Sequence, residues 1–78
     1  MIYFVYTNFE QNDGAIGHTC TNYTDLNTAR MEYHAQLVSQ YAPANRENNK
    51  WATVQLVNQS GYIMLTETAT FGQEADKE

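Results

Sequence analysis

The stretch IYFVYTNF, Ile2 to Phe9, decides how this sequence folds, because its aromatic and β-branched residues favour an extended strand. Successive side chains point to opposite faces of a strand, which gives one face with Ile2, Phe4 and Tyr6 and another with Tyr3, Val5, Thr7 and Phe9. Neither face is polar enough to lie against water, so both need cover. The rest of the chain supplies one clear helix, which can cover one face. We therefore expect a second copy of the protein to cover the other.

A second strand, joined to the first by a hairpin, is predicted next. Asp13 and Gly14 form a strong turn signal. The residues that follow, Ala15 to Asn22, alternate weakly between apolar and polar side chains. Their polarity and the glycine at position 17 are typical of a strand at the edge of a sheet.

The helix is predicted to begin after Thr24 or Asp25, because either side chain can accept hydrogen bonds from the free N–H groups of the first turn. It should end near Ala42, since the following Pro43 disfavours helical geometry in the residue before it. Steps of 100° per residue place one apolar stripe on the helix, formed by Leu26, Ala29, Tyr33, Leu37 and Tyr41 and flanked by Val38. The same steps turn Glu32, Gln36 and Ser39 away from the core.

The second half of the chain is predicted to form a polar loop, Pro43 to Lys50, and then two strands, Trp51 to Val57 and Tyr62 to Phe71. The turn NQSG joins the two strands. The element order is ββαββ, or βαββ if the second strand does not form. This order predicts one α+β domain over residues 1–71, with a small, mainly antiparallel sheet, one helix packed on one face and the opposite face used for oligomerisation. Residues 72–78 are predicted to be an acidic, flexible tail.

Length and composition restrict the function classes. A chain of 78 residues buries a modest core and gains stability from disulfides, a metal or self-association, and its single cysteine cannot form an internal disulfide. A net charge of −5 disfavours direct binding of nucleic acid, since phosphates repel an acidic surface. The sequence shows neither a charged leader with an apolar core nor an apolar run long enough to cross a membrane. We expect a cytosolic protein that does not contact membranes.

Two cationic candidates, Arg30 and His34, lie on the predicted helix at or inside the border of its apolar stripe. They are four residues apart, so their side chains lie one above the other. A guanidinium near a core needs an anion. That anion is either an internal acid, such as Glu10 or Glu67, or the phosphate or carboxylate of a ligand. A third alternative is that Arg30 extends along the helix edge into water.

Metal binding and catalysis have weak signals. His18 and Cys20 alternate onto the same face of the second strand, and His34 could add a third zinc ligand, but no CxxC or HxxxH spacing supports a site. A Cys20 and His34 pair could form a thiolate nucleophile and a base. The expected alternative is a buried Cys20 that packs as a small apolar residue. No nucleotide-cradling or catalytic motif occurs, so we predict no metal, no cofactor and no enzymatic activity.

The segments YHAQLVSQYA, which follows TAR, and VQLVNQSGYIMLTE resemble a group of short proteins encoded by phages and prophages of gut Firmicutes. Those proteins share an opening strand of YxVY type, a helix with an AR or AK, YH, L and S pattern, and a closing hairpin. The resemblance covers most of the chain. The sequence departs from the group in the acid-poor segment Pro43 to Lys50 and in Trp51.

The resemblance implies a setting more than an activity, since short phage accessory proteins often act by stoichiometric binding. We expect a non-enzymatic homo-oligomer in the host bacterial cytosol that counters antiviral defence. Its predicted function is to sequester a nucleotide-type immune signal at a subunit interface. Arg30 and His34 would contact phosphate or sugar, and the base would stack on Tyr33, Tyr41, Trp51 or Tyr62. The alternative is an inhibitor, of the anti-CRISPR kind, that blocks a host defence protein by direct binding.

Overall fold

A computed structural model describes residues 1–71 of the chain. Its elements are β1 (Tyr3–Gln11), β2 (Ile16–Tyr23), α1 (Leu26–Tyr41), α2 (Pro43–Asn48), β3 (Asn49–Asn58) and β4 (Ile63–Thr70). The tail predicted at residues 72–78 lies outside the described residues.

The four strands form one antiparallel sheet in the order β2-β1-β3-β4, which confirms the α+β prediction. Two hairpins, β1–β2 and β3–β4, are linked through the helices, and β1 pairs with β3 to join them. Each hairpin turn contains a glycine with positive φ, Gly14 at 92° and Gly61 at 89°, a conformation that other residues adopt at a cost. The aromatic first strand therefore lies in the middle of the sheet. The polar second strand lies at an edge, as its sequence predicts.

Local hydrogen bonds explain the limits of the helices. The carboxylate of Asp25 accepts from the backbone N–H of Thr28 at 2.8 Å and from its hydroxyl at 2.9 Å, so Asp25 is the N-cap of α1. These two bonds from Thr28 lower the pKa of Asp25. The predicted loop after Pro43 is wrong, because this proline occupies the first turn of the short helix α2. Proline suits that position, since its fixed φ is helical and the missing N–H would be unpaired there anyway.

The core lies between α1 and the two central strands. Its larger cluster consists of Val5, Val54 and Leu56 from the sheet and Ala29 and Tyr33 from the helix, all buried. A smaller cluster at the other end of the same face joins Ala52, Ala69 and Phe71, with Phe9 packed against it. Burial of these side chains is the main favourable term that holds the helix on the sheet.

Polar side chains lie between the helix and the sheet near the second half of α1. The hydroxyl of Thr7, which is buried, donates to the side-chain oxygen of Gln36 at 3.3 Å, and the amide of Gln36 donates to Glu32 at 2.8 Å. The amide of Asn49 donates to the oxygen of buried Gln40 at 3.4 Å. The prediction that Gln36 faces away from the core is therefore wrong. Val38, predicted to flank the apolar stripe, is 71% exposed.

Within residues 1–71, neither helix combines the length and the apolar character that a membrane crossing requires.

Candidate functional site

No helix of the described chain covers the face of the sheet opposite α1, and we call it the open face. Strand pairing and alternation assign its members: Phe4, Tyr6, Asn8 and Glu10 of β1, Ile16, His18, Cys20 and Asn22 of β2, Trp51, Thr53, Gln55 and Val57 of β3, and Ile63, Thr66, Thr68 and Thr70 of β4. The apolar face of β1 for which the sequence predicts no covering helix therefore belongs to the open face. The alternation in β1 predicts this face, and Trp51 is its single member among the predicted ligand-binding residues.

One end of the open face is apolar. Phe4 pairs with Val57, and Val57 pairs with Ile63, which puts three apolar side chains in one row across the sheet. The ring of Tyr6 stacks on that of Phe4 with centroids 6.1 Å apart. Ile63 remains 47% exposed. Val57 is buried between its neighbours, so the solvent-facing part of this end is formed by half-buried Phe4 and Tyr6 and by Ile63. Aromatic and aliphatic side chains grouped in this way are typical of a contact site.

The other end of the open face carries Trp51 and the only carboxylate of the face, that of Glu10. The indole N–H of Trp51 donates to one oxygen of Glu10 at 3.0 Å, and the ammonium of Lys50 lies 3.4 Å from the other. This pairing balances the negative charge and fixes the indole ring against the sheet. The open face is consequently close to neutral in a chain of net charge −5.

Short polar side chains fill the middle of the open face. Thr53 and Thr68 share a hydrogen bond of 2.9 Å across β3 and β4, and the amide of Gln55 donates to the hydroxyl of Thr66 at 3.5 Å. These groups bond to one another and leave a flat surface with small side chains. A flat surface fits another protein surface better than it encloses a small molecule.

Arg30 and His34 lie on the solvent side of α1, not at the border of the core as the sequence suggested. Both are exposed, and neither forms a salt bridge with any residue in the described range. The acids considered as partners of Arg30 are engaged elsewhere, since Glu10 binds Lys50 and Trp51 while Glu67 accepts from Tyr41. α1 is rotated about its own axis relative to the predicted apolar stripe, so that polar residues face the sheet. The same rotation turns Arg30 and His34 toward solvent.

Two of the aromatic candidates contact the helix side of the sheet. Tyr33 is buried in the core, where burial and the charge of Glu67 raise its pKa. The hydroxyl of Tyr41 donates to Glu67 at 2.9 Å, and its ring packs edge-on against Phe71 with centroids 5.9 Å apart. The hydrogen bond to Glu67 is the main cause of the raised pKa of Tyr41.

The other two aromatic candidates lie apart from these. Trp51 belongs to the open face, on the opposite side of the sheet from α1, and Tyr62 lies in the β3–β4 turn with 68% of its surface exposed. Tyr33 and His34, which are neighbours in the sequence, make an edge-on contact with ring centroids 5.2 Å apart. Within one chain, the predicted ligand-binding residues therefore do not converge on a single pocket.

The residues considered for a metal site also fall on different sides of the sheet. His18 and Cys20 belong to the open face, whereas His34 is on α1. In the described part of the chain, no three His, Cys, Asp or Glu side chains are grouped closely enough to hold a metal ion. Cys20 is exposed, so the expectation of a buried cysteine is wrong. Cys20 pairs with Tyr6 on the open face, which α1 does not cover.

Two cavities in the described region lack cationic side chains. The larger, about 470 Å³, lies at the β1–β2 turn and α2 and is lined by Phe9, Asp13 and the amides Gln11, Asn12, Asn45, Asn48 and Asn49. The smaller, about 320 Å³, is lined by Asn22, Tyr23, Thr24, Asp25 and Thr28. Phosphate binding normally uses Arg, Lys or a helix N-terminus with free N–H groups. Neither cavity contains a predicted ligand-binding residue.

Comparison with known proteins adds no relative: no protein-family model, no curated protein and no solved structure matches the chain.

Proposed function

We propose that the protein is a non-enzymatic binding protein that inhibits a partner protein by docking its open face onto it. The observation that carries this proposal is the apolar row Phe4, Val57 and Ile63, extended by the stacked ring of Tyr6, on a sheet face without a covering helix. Aromatic residues are enriched and charges depleted at the centres of protein interfaces.

Charge supports a protein as the occupant of the open face. Glu10 is its only carboxylate and is paired with Trp51 and with the ammonium of Lys50, and no member of the face itself is Lys or Arg. Nucleic acids and phospholipid headgroups bind chiefly through basic side chains, and Lys50, the basic side chain that reaches this face, is already paired with Glu10. A neutral, partly apolar surface on the partner is the chemistry that complements it.

The biological setting of the proposal rests on the resemblance to phage accessory proteins. It places the chain in the cytosol of an infected bacterium, where the partner is a protein of the antiviral defence. Inhibition by occupation of a surface needs no catalytic residue and no cofactor. A small sheet with one covered face and one open face is sufficient for it.

A pair of matched surface variants tests this proposal. Ile63→Lys places a charge in the apolar row of the open face, whereas Met31→Lys makes the same change on α1, where Met31 is 67% exposed. Immobilised wild-type protein and both variants are incubated with lysate of a gut Firmicutes bacterium, and the captured proteins are quantified by mass spectrometry. We expect Met31→Lys and the wild type to recover the same host protein, and Ile63→Lys to recover about tenfold less.

Equal recovery by the two variants would contradict docking through the open face. Light scattering on the same samples tests for the other predicted occupant of the open face, a second copy of this chain. If Ile63→Lys halves the mass of the assembly while host protein recovery is unchanged, the open face binds a second copy and the inhibitor proposal fails.

A second candidate function is sequestration of a nucleotide-type signal at a subunit interface. The favouring observation is that Arg30 and His34 are exposed, one helical turn apart, and without an ionic partner in the described residues. A second subunit would have to supply the stacking ring, since Trp51 and Tyr62 are remote from this side of α1.

Isothermal titration with cyclic dinucleotides and ADP-ribose derivatives tests this candidate. Arg30→Ala should weaken binding at least about tenfold, since one charge-assisted phosphate contact is lost. The same substitution should leave the melting temperature unchanged because Arg30 is exposed. Mass spectrometry of small molecules that co-purify with the native protein identifies the ligand. Absence of heat with every nucleotide, together with no co-purifying nucleotide, would exclude the candidate.

A further inference from the structure

Within residues 1–71, the outer edge of β2 presents a row of backbone groups that pair with no other strand. The N–H of Gln11 donates to the carbonyl of Ala15 at 2.8 Å where the β1–β2 hairpin closes. Hydrogen-bonded and non-bonded pairs alternate along an antiparallel ladder, so this bond fixes which residues of β2 face β1. The backbone groups that point away from β1 belong to Ile16, His18, Cys20 and Asn22.

This edge lacks the features that normally prevent strand pairing. Proteins protect exposed edges with lysine, proline, inward-pointing charges or a β-bulge. Residues 16–23 contain no proline, lysine, arginine or acid, and β2 pairs with β1 over eight consecutive residues without a register shift. β2 is therefore a regular, uncharged edge strand whose outward backbone groups can pair with another strand.

The opposite edge, β4, is less suitable. Its pairing with β3 shifts register between Leu56 and Val57, which interrupts the regular ladder. It also carries Glu67, and symmetric pairing would bring two such carboxylates together in chains that each have a net charge of −5. The two edges of the sheet thus differ in both regularity and charge.

We propose that β2 pairs antiparallel with β2 of a second copy of this chain, around a two-fold axis at Thr19. In this register, each of the four residues whose backbone groups point away from β1 lies opposite another such residue of the partner subunit. Ile16 lies opposite Asn22 of the partner subunit, and His18 lies opposite Cys20 of the partner subunit. Thr19 lies opposite its own copy, and cross-strand threonine pairs stabilise sheets.

A second copy is the favoured occupant because the register at Thr19 is self-complementary, and charge decides which edge such a copy uses. Two chains of net charge −5 repel one another, and they approach most easily through a strand without acidic side chains. Symmetry then uses the same strand on both sides, as two-fold dimers do. The product is one continuous eight-stranded sheet. Its axis is perpendicular to the sheet, so both α1 helices lie on one side and both open faces on the other.

Disulfide trapping tests the register. In the Cys20→Ser background, Thr19→Cys places the only thiol at the axis, in a non-hydrogen-bonded pair whose Cα atoms are about 4.5 Å apart, within the range for a disulfide. The matched control, Thr21→Cys in the same background, lies opposite Gly17 of the partner subunit. Its two thiols are then about 13 Å apart along the strands. Mild oxidation should convert most of the first variant, and little of the second, into a covalent dimer.

Light scattering tests the association without a cross-link. We expect the wild type to be a dimer, Thr19→Lys to be a folded monomer, and the α1 surface variant Met31→Lys, which carries the same charge away from both the β2 edge and the open face, to remain a dimer. Circular dichroism melting confirms that the variants fold. Equal cross-linking of the Thr19 and Thr21 variants, or a wild-type mass of 8.9 kDa at every concentration, would overturn the proposal. Ile63→Lys should keep the dimer, which separates this proposal from docking through the open face.

Discussion

At the scale of single residues, one close approach shows how the sequence sets local packing. Gly17 of β2 pairs with Phe9 of β1, and the ring of Phe9 occupies the space that a Cβ on residue 17 would fill. The glycine therefore lets an aromatic ring lie flat across an edge strand. Weak alternation predicts this strand, and its polarity together with this glycine predicts the edge position, but the identity of the ring above the glycine depends on register, which alternation alone does not give.

We expect Gly17→Val to lower the free energy of unfolding by about 1–3 kcal/mol, because the new side chain displaces the ring of Phe9. In the Phe9→Ala background the same substitution should be neutral or stabilising, since valine favours strands and the space is vacant. Urea unfolding at a fixed protein concentration measures both effects. Additive losses in the double variant would show that the ring is not the cause.

At the scale of secondary-structure elements, the helix demonstrates where periodicity is informative and where it fails. Its existence, its cap at Asp25 and its end before Pro43 are confirmed, because capping and proline act locally. Its rotation was mispredicted, since Gln36 and Gln40 take sheet-facing positions that an apolar stripe would reserve for leucine or valine. Their partners are distant in sequence, so no local pattern reveals them. The outward position of Arg30 follows from this rotation.

The bond between Thr7 and Gln36 connects the helix to the central strand, and a double-mutant cycle can isolate it. Gln36→Leu alone should cost about 1–3 kcal/mol, because the buried hydroxyl of Thr7 loses its partner. Thr7→Val alone should cost about 1 kcal/mol. The double variant should be nearly as stable as the wild type, because both polar groups are replaced by apolar ones. Thermal and urea unfolding check this, and two independent losses would contradict it.

At the scale of the whole molecule, the sequence predicts the class of fold but not the position of a site. The polarity of the second strand predicts its place at an edge, whereas the strand order β2-β1-β3-β4 depends on long-range pairing that the sequence does not reveal. The predicted ligand-binding residues, by contrast, are spread over the outer side of α1, the core, the β3–β4 turn and the open face. Arrangement in space, not residue type, decides whether cationic and aromatic side chains form one site.

The indole of Trp51 has a practical consequence for all of these experiments. It is the only tryptophan in the chain, and its hydrogen bond to Glu10 holds it on the open face, away from the β2 edge. Its fluorescence is therefore an intrinsic reporter that needs no added label. A blue shift on addition of a host protein would signal loss of water around this ring, whereas joining of two subunits at their edges would leave the emission maximum where it is.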